Sequence, residues 1–215
     1  MGRPARGRAS TAVKAAVKAV VFDVGNVIVR WDPRTLYSKI FPDPAERDWF
    51  LANVCTMAWH VRHDAGVTFA ENRAPLVAQF PEHEAAILAW EARWPEMFSG
   101  AIPETEAAIE ALAARGVPML GLTNMSAETS ADTFAMSPVF ERLRHIVVSA
   151  EVGLMKPDPA IFALTAERAG LAPSELLLVD DSLANTAAAA ACGYDVHRFD
   201  DPAALEPALK ARGLL

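Results

Sequence analysis

Cysteine is scarce in this chain: two among 215 residues, Cys55 and Cys192, far apart and in no metal-type spacing. So low a count leaves no disulfide framework and no cysteine-based metal site, and reduced thiols in a cytoplasmic protein are the expectation. No apolar run approaches the ~18 residues that a membrane span needs, so no membrane association is expected. The N-terminus also lacks the hydrophobic segment of a secretory signal. Excess positive charge is missing too. The net charge is −7, and residues 1–18 hold five cations (Arg3, Arg6, Arg8, Lys14 and Lys18) and no acid, so the remainder is more acidic still. A body of that charge argues against a nucleic-acid surface. The basic, alanine-rich leader at 1–18 stays open between a flexible solvated tail and a targeting or phosphate-seeking arm. No internal repeat occurs, and no low-complexity segment outside an alanine-rich stretch at 184–192.

What is present is apolar sequence in short, well-punctuated pieces. Hydrophobic residues make up 52% of the chain, enough for a substantial core in one domain of moderate size or a domain with an insertion. The run Val20-Val21-Phe22-Asp23-Val24-Gly25-Asn26-Val27 climbs to one carboxylate and then meets turn formers, which predicts a buried strand of a parallel sheet. Further strands are predicted at 117–124, 145–149, 176–181 and 194–199. Helices are predicted between them: from Pro103 to Gly116, loosely over 126–143, from Lys156 to Gly170, over 184–192 and after Pro202. Strands alternating with helices imply right-handed βαβ units and an α/β fold with a mostly parallel sheet.

Residues 32–98 interrupt that alternation. Asp32-Pro33 reads as a helix entry, Thr68 with Glu71 has capping-box spacing, and Pro81-Glu82 opens a helix with Ala85, Leu88, Ala89 and Trp90 at helical period. No strand is predicted there. Four of the five tryptophans, Trp49, Trp59, Trp90 and Trp94, fall in this block, which suggests a helical unit held by aromatic packing. Trp59 and Trp90 stay open between that core and a ligand-facing wall. Because the block follows the first strand, it should hang over Asp23.

Three predicted strands end in polar groups: Asp23, Thr123-Asn124 and Asp180-Asp181. In a parallel sheet those ends share one edge, and Lys156, after a further strand, comes from the same side. Three close carboxylates require counter-charge. A hard divalent cation with oxygen ligands supplies it, and Mg²⁺ suits a partly hydrated carboxylate cage. Lysine and hydroxyl beside a metal equip a site for a phosphoryl group, where transfer depends on positioning and charge neutralisation. A carboxylate oxygen can be the attacking atom.

From about Lys18 onward the chain resembles the haloacid dehalogenase superfamily. Phe22-Asp23-Val24-Gly25-Asn26-Val27 resembles its first motif, Leu122-Thr123-Asn124 the second, Lys156-Pro157 the third and Val179-Asp180-Asp181-Ser182 the fourth. The resemblance implies a Rossmann-like three-layer core (19–31 and 99–215) and an inserted α-helical cap (32–98). It implies a Mg²⁺-dependent phosphatase acting on a small phosphorylated, sugar phosphate-like metabolite, as a monomer or homodimer. In those roles Asp23 becomes phosphorylated, Thr123 and the Asn124 backbone hold phosphoryl oxygens, and Lys156 bridges Asp23 and phosphate. The Asp23 carboxylate, the Gly25 carbonyl and Asp181 hold Mg²⁺; Asp180 acts through water or by orienting Lys156, and Asn185 adds an outer contact.

Gly25 is a departure. Most phosphatases of the superfamily have a second aspartate two residues after the nucleophile, as acid and base for the leaving group. The Asp-x-Gly-Asn pattern resembles a branch that includes the glucose-1-phosphatase group and the phosphatase-like N-terminal part of epoxide hydrolases. A proton donor could then come from the cap, where His60 and His63 share a helix face in Trp59-His60-Val61-Arg62-His63-Asp64-Ala65-Gly66. Both histidines stay open between substrate contact and packing. Two rival functions remain: a 2-haloacid dehalogenase, disfavoured because Asp180-Asp181 would repel a carboxylate substrate, and a degenerate binding protein, disfavoured because nucleophile, lysine, threonine and acid pair are all present.

Overall fold

The computed structural model describes residues 16–215. Residues 1–15, most of the leader expected as a basic tail at 1–18, lie outside the described residues. The chain enters β1 (Ala19–Phe22), every residue of which is buried. Alternation along this strand feeds two faces: Val20 and Phe22 join one apolar cluster, Ala19 and Val21 another. Burial on both faces explains the unbroken apolar run, since a two-sided strand has no solvent side to make polar.

A ribbon and five helices follow. The Asn26 backbone sits at φ 59°, a left-handed conformation that asparagine tolerates better than most residues. Its Oδ1 accepts the Trp31 N–H at 3.0 Å, fixing the entry to β2 (Val29–Trp31). Asp32 caps α1 (Pro33–Ile40), and Asp43 caps α2 (Pro44–Asn53). Thr56 caps α3 (Met57–Asp64), and the expected capping box of Thr68 and Glu71 opens α4 (Phe69–Gln79). The last of the five is α5 (Glu84–Ala92). The chain then returns through β3 (Phe98–Ala101), antiparallel to β2. This two-stranded ribbon was not expected, and it forms the stem on which the helical block is mounted.

The helices pack around Tyr37, Phe50, Trp59, Trp90 and Trp94, so Trp59 and Trp90 serve the packing reading. Trp49 corrects the expectation of four packed tryptophans, being 47% exposed. The face read for α5 is also corrected: Ala86, Ile87, Ala89 and Trp90 are buried, whereas Leu88 is exposed.

From here the alternation is regular. It runs α6 (Pro103–Ala114), β4 (Met119–Thr123), α7 (Ala127–Phe134), β5 (Ile146–Val148) and the short α8 (Ser149–Val152). It continues with α9 (Pro159–Ala169), β6 (Leu176–Asp180), α10 (Leu183–Ala191), β7 (Asp195–Arg198) and α11 (Leu205–Lys210). The sheet order is β5-β4-β1-β6-β7, with every pairing parallel. Residues of α6 and α11 cover one face, and residues of α9 and α10 the other. The result is a three-layer Rossmann-like core with β1 at its centre and an inserted helical cap. Because β1 lies between β4 and β6, the residues after all three strands share one edge.

Three hydrogen bonds fasten the cap over that edge. Ser149 Oγ donates to the Asp64 carbonyl at 2.6 Å, the Phe69 N–H to Glu128 at 2.7 Å, and Trp94 Nε1 to Thr133 at 3.0 Å. No helix among the described residues is long and apolar enough to cross a membrane.

Candidate active site

Asp23 follows β1 directly and is 8% exposed. An isolated ionised carboxylate at such depth would cost far more than the ~1.5–3 kcal/mol that each neighbouring apolar side chain gains by burial. The partner is Lys156, whose Nζ lies 2.9 Å from Asp23 Oδ1 and 2.7 Å from Asp180 Oδ2. Burial pulls the lysine pKa down, but Asp23 and Asp180 outweigh it and hold the ammonium raised. Burial pushes Asp23 up, Lys156 draws it back, and Asp180 and Asp181 add to the rise. An N–H from Val24 to Asp23 Oδ1 at 2.7 Å orients the carboxylate.

Asp180 is fully buried and spends its oxygens on protein. Besides Lys156 it accepts the Ser182 N–H at 2.9 Å and Asn185 Nδ2 at 3.0 and 3.1 Å. Of the two roles open to it, orienting Lys156 is the one that these bonds describe. Asn185 makes its expected outer contact through Asp180. Asp181 is more open to the cleft, its pKa raised by burial and by Asp180. Asp23, Asp180 and Asp181 each offer an oxygen within 4.8 Å of the others. Three carboxylates against one ammonium leave room for a cation.

Asn124 has a structural task for its side chain. Its side chain accepts the Lys156 N–H at 2.8 Å and donates to the Lys156 carbonyl at 2.9 Å. That reciprocal pair positions the lysine loop, and only the Asn124 backbone remains for a ligand. Thr123 is buried, and its hydroxyl has only a 3.5 Å contact to the Asn124 carbonyl, so it is largely free to meet an oxyanion.

These groups line a cleft of about 190 Å³ between core and cap, shared by Gly25, Trp31, Met57, His60, Asp64, Trp94 and Phe98. A methyl group at Gly25 would meet nothing within 4 Å, and Gly25 is not among the positive-φ glycines. Neither packing nor backbone strain requires glycine there. His60 reaches the cleft, stacked on Trp31 at 5.1 Å, but burial and His63 hold its pKa down at about 3. His63 does not reach the cleft. Its Nε2 meets Asn72 at 3.0 Å and its Nδ1 the Val67 carbonyl at 3.3 Å, and it stacks on Phe69 in the cap interior. Packing is therefore the outcome for His63, and burial holds both imidazoles below their ordinary pKa, which disfavours the imidazolium form of either.

Asp64 is the cleft residue that sequence reasoning passed over. Its carboxyl is 6% exposed, and its pKa is pushed up to about 7 by burial, with Asp23 adding and Lys156 opposing. The available signal was its i, i+4 spacing from His60 on one helix face.

A family model described as haloacid dehalogenase-like hydrolase matches residues 17–193. The chain belongs to the haloacid dehalogenase-like hydrolases. The chain is 33% identical over 108 residues to acyl-CoA dehydrogenase family member 10 of Mus musculus, covering 50% of this chain and 10% of that protein. It is 30% identical over 80 residues to a phosphoserine phosphatase of Thermus thermophilus, 37% of this chain and 32% of that one. It is 31% identical over 94 residues to haloacetate dehalogenase H-2 of Moraxella, 44% and 42% of the two chains. The chain thus spans less than half the length of each of these curated relatives.

A HAD family enzyme of Bacteroides thetaiotaomicron superposes with a TM-score of 0.67 at 21% identity, covering 89% of this chain and 99% of that one. The same enzyme in complex with magnesium and inorganic phosphate gives 0.65 at 22% identity, 88% and 98% of the chains. At such identities the likeness speaks for the haloacid dehalogenase-like fold alone.

Proposed function

We propose that this hydrolase is a Mg²⁺-dependent phosphatase that cleaves a small, sugar phosphate-like monoester through an aspartyl phosphate on Asp23. The observation carrying this reading is the ion chain Asp23–Lys156–Asp180, at 2.9 and 2.7 Å, with the Asp181 carboxylate beside it. The donor set fits a hard divalent cation: three carboxylates face one ammonium, and oxygen ligands of that kind suit Mg²⁺. Asp23, the Gly25 carbonyl and Asp181 would hold it. When bound, Mg²⁺ would neutralise phosphate charge and keep Asp23 ionised.

The chain's own groups then divide the work. An Asp23 carboxylate oxygen attacks phosphorus. Lys156 shares its charge between Asp23 and the phosphoryl oxygens, while Asp180 and Asn124 keep the ammonium in place. Thr123 and the Asn124 backbone hold the other phosphoryl oxygens. The helical block 32–98, as cap on the core 19–31 and 99–215, selects the leaving group and excludes water. Lys156 is the cleft's one cation among the described residues, and the opposite wall is Trp31, Met57, Trp94 and Phe98. That wall favours an uncharged leaving group with an apolar face, such as a sugar ring, over a second phosphate or a carboxylate.

Among the curated relatives two are named as phosphatases and one as a dehalogenase. Two adjacent acids at the end of β6 favour the first, because they repel a haloacid carboxylate. Two free cysteines are in keeping with a cytoplasmic setting. The test is a panel of phosphorylated sugars, nucleotides and acids, assayed with Mg²⁺ and with EDTA, on wild type and Asp23→Asn. Phosphate release that needs both Mg²⁺ and Asp23 supports the reading. Chloride release from a haloacid in EDTA, without phosphate release, overturns it.

A further inference from the structure

Gly25 leaves the cleft without the acid that the leaving group of a phosphate ester needs, and the cap brings one in from the other side. Resting on the phosphatase reading above, we propose that Asp64 is the catalytic acid and base of this enzyme: it protonates the leaving oxygen and then deprotonates the attacking water.

Four observations converge on this residue. Asp64 lines the same cleft as Asp23, Gly25 and Lys156. Its carboxyl is buried, yet Oδ1 has no hydrogen-bond partner among the described residues. The nearest candidate, His60 Nε2, is 3.7 Å away, too far for a hydrogen bond. A buried carboxyl oxygen left without a donor is costly to folding, and perturbed groups of that kind concentrate where function demands them. Its position is also built. Ser149, fully buried at the start of α8, donates to the Asp64 carbonyl at 2.6 Å and accepts the Met125 N–H at 3.0 Å. The end of α3 is thereby tied to the loop that follows β4. Gly66, two residues on, lies so close to α8 that a Cβ there would stand 3.4 Å from the Ala150 carbonyl.

Its protonation state suits the role. The charged groups facing it are Asp23 after β1, Lys156 before α9 and Asp181 after β6; on its own helix His60 and His63 are held neutral. Burial and Asp23 raise Asp64 to about 7 against the opposing pull of Lys156, so both protonation states are populated at neutral pH, as an acid that must also act as base requires.

The chemistry balances. In the first step an Asp23 oxygen bonds to phosphorus and the P–O ester bond breaks. The bonding pair goes to the leaving oxygen, which takes the Asp64 proton and departs as an alcohol. In the second step a water oxygen bonds to phosphorus and the P–O bond to Asp23 breaks. Its electron pair returns to the Asp23 carboxylate, and the water proton passes to Asp64. The sum is ester plus water giving alcohol plus inorganic phosphate.

The experiment compares ethyl phosphate, whose alkoxide leaves badly unprotonated, with p-nitrophenyl phosphate, whose phenolate leaves unaided. With Mg²⁺ present, Asp64→Asn should lose about 10²–10⁴-fold in kcat/KM on ethyl phosphate and less than about tenfold on p-nitrophenyl phosphate. Adding Gly25→Asp to Asp64→Asn should recover much of the ethyl phosphate rate, since a Cβ at residue 25 meets nothing within 4 Å and the residue lines the cleft. Equal losses on both esters, or no loss on ethyl phosphate, overturn the assignment. Silence of wild type on every phosphate ester overturns the phosphatase reading and this assignment with it. Wild type alone gives a reading independent of how the variants fold. Its kcat on ethyl phosphate should fall as pH rises past neutrality while that on p-nitrophenyl phosphate holds, and superposable profiles would contradict the proposal.

Discussion

Replacing Asp64 with asparagine should stabilise the protein above neutral pH while damaging it as a catalyst. In the folded state burial raises the Asp64 carboxyl from 3.8 to about 7, and in the unfolded chain it returns to its ordinary value. Between those two pH values the folded form binds a proton that the unfolded form has lost. Stability therefore falls as pH rises across that window and levels off above it. Asparagine has nearly the same shape and never ionises, so the variant escapes the loss. A shift of about three pKa units at 1.36 kcal/mol each sets a ceiling of about 4 kcal/mol, and water entering the cleft reduces it to about 2–4 kcal/mol. For a chain of this size that corresponds to about 5–15 °C in melting temperature. The assay is thermal or urea unfolding of wild type and Asp64→Asn in EDTA at pH 4.5 and pH 8. The variant's advantage over wild type should be small at the lower pH, about 1 kcal/mol or less, and largest at the higher. A variant equal to or less stable than wild type at pH 8 would refute the claim that Asp64 is buried without a partner.

Two further substitutions probe the ion chain. Lys156→Met removes the ammonium between Asp23 and Asp180 and leaves the buried carboxylates facing one another; hydrolysis should vanish, and urea unfolding without Mg²⁺ should show a loss of about 3–5 kcal/mol. Asn124→Ala severs both bonds to the Lys156 backbone, so urea unfolding should show a loss of about 1–3 kcal/mol and kcat should fall at least tenfold, with KM changed less.

Much of this molecule is readable from its sequence because its core strands are buried on both sides. An apolar run that ends in Asp23, or in Asp180-Asp181, announces both the strand and the edge where its polar end must emerge. The same property hides other features. Val29–Trp31 and Phe98–Ala101 are too short to show a pattern of their own, and each becomes a strand only by meeting the other across the whole cap. In α5 nearly every residue is apolar, so period alone does not decide that Ile87 faces inward and Leu88 outward. The i, i+3 spacing of His60 and His63 leaves His63 open between substrate contact and packing, and Asn72 and Val67 decide it by engaging both its nitrogens. Asp64 was missed for a separate reason. A carboxylate at the end of a helix reads as solvated, and its burial is decided by the docking of α3 on Ser149, a residue 85 positions away.

Chemical trapping of the intermediate bears most directly on the claim that Asp23 attacks phosphorus. Wild type mixed with a phosphate ester that it turns over, then quenched and reduced with borohydride, should yield a peptide carrying homoserine in place of Asp23, absent without substrate. Steady hydrolysis with no reducible adduct, or an adduct on any other residue, would contradict it.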